Sequence, residues 1–142
     1  MFFSKDFRRK IRRILTNKIL ILVDNFNIPH NVVEFIIKSF HFQHIAWAYL
    51  SLFFLPKKLF IIIFITSAIL FLLFVYLDGC FLSNVEYKLC KNKKDFINII
   101  DPYLYILGKE INTNNRYFYT LYFSLLYLLG CIIKFVHIYS NN

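Results

Sequence analysis

Glycine and proline are scarce in this chain, with 3 of each in 142 residues, so turns are few. The phosphate-cradling glycine loops, the Gly-x-Ser-x-Gly elbow and the His-Glu-x-x-His zinc motif are all missing. Cysteine is scarce as well: Cys80, Cys90 and Cys131 show no Cys-x-x-Cys spacing. Three thiols cannot all pair with one another, which argues against a disulfide framework and against a structural zinc site. Acidic side chains number 8 against 17 Lys and Arg, giving a formal charge of +9. A chain of this length has room for one domain.

What the sequence has in excess is apolar side chain, at 58% hydrophobic and 20% aromatic residues. A soluble protein keeps about half its residues apolar, and a water-facing surface of Phe, Ile and Leu would aggregate. Lipid is the natural destination. The run Leu59 to Leu77 contains no charge and follows Pro56, Lys57 and Lys58. At 1.5 Å per residue, a stretch near twenty residues crosses a hydrocarbon layer of about 30 Å. A second run, Ser39 to Leu55, opens with the polar His41, Gln43 and His44, so its helix is expected to reach back to Asn31. Asn31 and Glu34 have the spacing of a capping box. The third, Tyr117 to Ile133 with FVHIY beyond it, is bounded by Arg116 and by Lys134, whose long stem can snorkel. Its tyrosines suit an interface or a protein-facing side. A packed re-entrant helix is the alternative there.

The N-terminus carries Lys5, Arg8, Arg9, Lys10, Arg12, Arg13 and Lys18. Ile19 to Val23 is too short for a signal peptide, and no small-residue cleavage site follows. Phe7, Ile11, Ile14, Leu15, Ile19 and Leu22 instead gather near one face of a helix, the pattern of an interfacial helix lying on a leaflet. A mitochondrial presequence shares that pattern, although Asp6 argues against it. Anionic lipid head groups satisfy such a cluster, and the adjoining spans favour them over nucleic acid. Lysines and arginines flank the spans unequally. Lys38, together with Lys88, Lys91, Lys93, Lys94, Lys109 and Arg116 of the 78–116 connection, joins the N-terminal cluster on one side, against Lys57, Lys58 and Lys134 on the other. The positive-inside rule puts the N-terminus and the connection in the cytosol.

The expected architecture is therefore all-α, an integral membrane helical bundle. A basic amphipathic segment, 1–30, precedes a transmembrane domain, 31–142, with spans at about 39–55, 59–77 and 117–138. Within the connection, Ser83 to Glu86 has capping-box spacing, Asp101-Pro102 reads as a helix start, and Gly108 is placed to end that helix. Phe96, Ile97, Ile99 and Ile100 are too apolar for a solvated loop and should fold back on the bundle or the membrane. Asn112 to Arg116 should cap the next helix.

Candidate chemistry is sparse. His44 with His137 could in principle hold a haem, but the topology puts them at opposite ends of their spans, and no cofactor is expected. Cys80, Glu86 and His44 are the candidates for a site at the cytosolic face. Asp78, two residues from Cys80, should raise its thiol pKa and so oppose reactivity. The spans lack the interior acids that mark an ion path. The abundance of Asn, Lys, Ile, Phe and Tyr is the bias of an AT-rich genome, as in some protists and large DNA viruses.

The run Asp78-Gly79-Cys80-Phe81-Leu82-Ser83-Asn84-Val85-Glu86, behind a His-bearing first span, resembles a family of small uncharacterised multi-span membrane proteins of bacteria and giant viruses. Their signature is Gly, a gap, Cys-Pro-Leu-Thr, two residues, then Glu; here Phe81 replaces the proline and Ser83 the threonine. The resemblance spans about His41 to Glu86 and implies a multi-span architecture with no established activity. The expectation is a non-catalytic accessory or assembly component that meets a membrane-protein partner or its own copy. The alternative is a membrane-bound enzyme or redox protein.

Overall fold

The computed structural model describes residues 4–92 and 96–140, the side chain of residue 139 excepted. Lys93 and Lys94, counted above for orientation, lie outside the described residues. The described chain is helical with no strand: α1 (Lys5–Asn25), α2 (His30–Phe53), α3 (Lys57–Tyr76), α4 (Phe81–Leu89), α5 (Asp101–Ile106) and α6 (Thr113–Ser140).

Three of the helices stop in the same way. Asn27, Asp78 and Gly108 adopt positive φ directly after the C-caps of α1, α3 and α5. Each is followed by a residue whose N–H reaches back five positions: Ile28 to Val23 O at 3.1 Å, Gly79 to Phe74 O at 2.8 Å, and Lys109 to Leu104 O at 2.9 Å. This Schellman arrangement satisfies the last carbonyls and reverses the chain sharply. Asn and Asp tolerate the left-handed conformation better than other side chains do. Gly108 ends α5 as its sequence position suggests.

The helix starts differ from those read in the sequence. Asn31 does not cap α2: the helix begins at His30, and the Pro29 carbonyl accepts from Val32 and Val33. Proline, extended and without an N–H of its own, already sets the chain direction there. Glu34 turns to Lys38, at 3.8 Å. Asp101 is the first residue of α5 and not its cap. Its carboxylate accepts from Asn98 N and grips Arg116 through two bonds of 2.7 Å, tying α5 to the start of α6. Asn112 does cap α6, accepting from Asn115 N at 2.8 Å.

Packing has two centres. Ala48, Phe60, Tyr127 and Cys131 bring α2, α3 and α6 together, with Leu52 and Phe64 against them. Ser51, fully buried, donates to Ala48 O, and Lys134 snorkels onto the Ser51 carbonyl at 2.7 Å and over the Phe60 ring. The second centre joins α1, α2 and α4 through Ile19, Leu20, Ile37, Val85 and Leu89. Of the apolar connection, Ile100 is buried and Phe96 packs on Tyr87 and under Arg116, whereas Ile97 stays exposed.

Among the described residues, two helices are long and apolar enough to cross a membrane. Lys57–Tyr76 has a mean hydropathy of 2.9 and Thr113–Ile138 of 1.9, and only 11% of each stretch is buried inside the protein. A soluble core helix would be mostly buried; these leave Ile62, Ile69, Leu72, Leu129 and Ile133 more than half exposed.

Candidate functional site

The Schellman turn at the end of α3 delivers the chain through Asp78 and Gly79 to Cys80, which stands at the N-cap of α4. There the backbone N–H of Ser83 approaches the sulfur, at the positive end of the α4 dipole. From α2, His41 places Nε2 3.5 Å from Cys80 Sγ. Its other ring nitrogen, Nδ1, lies 3.4 Å from a carboxylate oxygen of Glu86 in α4. Glu86 is buried, and Lys38 Nζ approaches its second oxygen at 3.9 Å. A buried carboxylate needs such compensation.

Thiol and carboxylate address opposite nitrogens of one imidazole. They form a chain, sulfur to ring to carboxylate, and not a chelate; among the described residues no cluster has metal-holding geometry. In such a chain the ring can take the thiol proton on one side while the carboxylate fixes the tautomer on the other.

Burial by itself would push the Cys80 thiol up. The His41 hydrogen bond and charge, together with the polar groups of Ser83, outweigh it and hold the thiol below its ordinary value. This reverses the expectation drawn from Asp78. The Asp78 carboxylate is neutralised by Arg9 at 2.7 Å and does not govern the sulfur.

Of the three candidates from the sequence, Cys80 and Glu86 come together and His44 does not join them. His44 stacks on Phe40, with ring centroids 5.9 Å apart. His137 lies in the last turn of α6. His41, read from the sequence only as a polar residue at the start of the second run, is the residue missing from the candidates. Matching depth would have found it, because in an α2–α3 hairpin the start of one helix lies level with the end of the other. Ser83 and Glu86 form no capping box, since α4 starts two residues before Ser83 and Glu86 turns toward α2.

The basic face of α1 is divided. Lys5, Lys10, Arg13 and Lys18 are exposed. Arg8, Arg9 and Arg12 turn inward to the end of α3: Arg8 donates to Val75 O at 2.9 Å, Arg9 to the Asp78 carboxylate, and Arg12 to the Asp78 carbonyl. Cations suit the negative end of a helix dipole. Arg12 also lies near enough to Cys80 for their charges to interact.

A scan against protein-family models and searches of curated proteins and of solved structures give no match to this chain.

Proposed function

We propose that this protein crosses the membrane three times and carries a reactive thiol at the cytosolic face, with Cys80 as nucleophile, His41 as its base and Glu86 holding the ring. The single observation behind this reading is the Cys80–His41–Glu86 chain. Cys80 and Glu86 are also two of the residues that carry the resemblance to small multi-span membrane proteins.

Three spans follow if α2 joins α3 and α6. It packs on both through Ala48, and its 24 residues measure about 36 Å along the axis. The positive-inside count then puts α1, α4 and α5 in the cytosol. The exposed Phe7, Ile14 and Ile21 of α1 dip into the leaflet while Lys10, Arg13 and Lys18 meet anionic head groups.

The test is alkylation of Cys80 by iodoacetamide in native membranes at neutral pH. Cys80 should react faster than in the denatured chain, and His41→Asn should slow it about tenfold. A rate no faster than that of the denatured thiol would sink the reading. A C-terminal reporter found on the cytosolic side would refute the three-span topology.

The second reading is a non-catalytic accessory or assembly component. The apolar face of α6, with Phe118, Tyr122, Leu125 and Leu129 exposed, favours it. A detergent-solubilised mass above that of one chain supports this reading, and a monomer counts against it.

A further inference from the structure

A thiol with a base could serve disulfide exchange or group transfer, and the cysteine positions separate the two. Cys80 and Cys90 cap opposite ends of α4, whose nine residues extend about 13 Å. Bridged cysteines have Cα atoms within about 7 Å. Cys131 belongs to the other packing centre, against Ala48 and Phe60. No second thiol of this chain is placed to resolve a disulfide at Cys80. Nucleophilic transfer remains.

The surroundings of Cys80 describe what would be transferred. Ile69, Leu72, Leu73, Val75 and Tyr76 line an open groove of about 410 Å³ along the last two turns of α3. Its lining is almost wholly apolar, and the chain reaches Cys80 four residues beyond Tyr76. Where the groove ends, cationic groups begin. Arg8 donates to the carbonyl of Val75, itself a groove residue, and Arg12 to that of Asp78. Nε of Arg8 and Nε of Arg12 are buried with no hydrogen-bond partner. Three guanidiniums stand here against one carboxylate, Asp78. An open apolar groove, a cluster of guanidiniums and a nucleophile follow one another along the chain at the end of α3.

We infer that Cys80 accepts the acyl group of a long-chain acyl thioester with a phosphate-bearing head, the chain lying in the α3 groove and the phosphates at Arg8 and Arg12. This rests on the thiol reading proposed above. The Cys80 sulfur adds to the carbonyl carbon, and its proton passes to Nε2 of His41. The new carbon–sulfur bond to Cys80 replaces the one to the carrier, which leaves as a thiol with the proton returned by His41. One thioester is exchanged for another, so no oxidant or reductant enters. The leaving group is a thiolate, far less basic than the alkoxide of a lipid ester, and this suits a site whose base is one imidazole.

The test uses the full chain in mild detergent with palmitoyl-CoA, read by intact mass, hydroxylamine sensitivity and release of the carrier thiol. One labile palmitoyl group per chain is expected at Cys80, absent in Cys80→Ser and formed about tenfold more slowly in His41→Asn. Acetyl-CoA should react at least tenfold more slowly, as the groove requires. Palmitoyl-pantetheine, which keeps chain and thioester but lacks phosphate, should be several-fold slower, and this comparison needs no variant that could misfold. Equal rates with the short chain, with the phosphate-free donor or in His41→Asn would overturn the inference. So would an unacylated Cys80 that iodoacetamide still labels rapidly, a result that leaves the thiol reading standing. Slow iodoacetamide labelling would remove both.

Discussion

Glu86 holds a carboxylate oxygen 3.4 Å from Nδ1 of His41, on the side of the ring away from Cys80. The contact joins α4 to α2 inside the packing centre built by Ile37, Val85 and Leu89, so the ring orientation is fixed by the docking of two helices. Glu86→Gln keeps the shape and removes the charge that favours the imidazolium. Alkylation of Cys80 should fall about three- to tenfold, with little change in the thermal midpoint. An unchanged rate would mean that the carboxylate only balances Lys38.

The thiol at Cys80 is held below its ordinary value, which gives a pH dependence of definite sign. An ordinary cysteine titrates near about 8.5. The Cys80 thiolate persists to lower pH, so its alkylation profile should have a midpoint below that of the unfolded chain. The stabilisation gained from the ion is complete above the unfolded value and is lost as pH falls through the folded one. His41→Asn should move the midpoint upward.

Gly79 has φ +129°, and a Cβ built on it would collide with Nη1 of Arg12. Gly79→Ala therefore combines a backbone conformation few side chains adopt with displacement of the guanidinium that caps α3. A loss of about 2–3 kcal/mol is expected, read as a lower thermal midpoint in detergent. Gly108 has no heavy atom within 4 Å of such a Cβ, so Gly108→Ala should cost only the strain of its positive φ, about 1–2 kcal/mol.

Arg116 grips Asp101 with Nε and Nη2, both at 2.7 Å, while its guanidinium lies over the Phe96 ring. Arg116→Lys keeps the charge and loses both the fork and the stacking. With Asp101 buried, a cost of about 1–3 kcal/mol is expected, concentrated in the hold of α5 on α6. Faster hydrogen exchange in Asp101–Ile106 than in α3 would locate it there.

Much of the fold is legible in single residues. The charge-free run behind Pro56 demands a long helix because few other structures satisfy so apolar a backbone. Gly108 and Asn112 mark a helix end and a helix start through local geometry that needs no tertiary partner. Local spacing misled where another side chain competed for the same carboxylate. Glu34, Glu86 and Asp101 all stand where a capping role is plausible. Lys38 and His41 took Glu34 and Glu86 instead, whereas Asp101 serves both roles, accepting from Asn98 N while holding Arg116.

The sequence by itself determined the helical class, the two strongly apolar helices and the basic amphipathic α1, since these depend on composition and on periodicity along the chain. It also marked Cys80 and Glu86. Tertiary structure decided that His41 and not His44 stands between them, that Asp78 is spent on Arg9, and that three of the seven residues of the basic cluster turn inward to the end of α3. Those outcomes rest on which helix faces meet and at what height. Pairings such as Arg9–Asp78, 69 residues apart in the chain, carry no local trace in it.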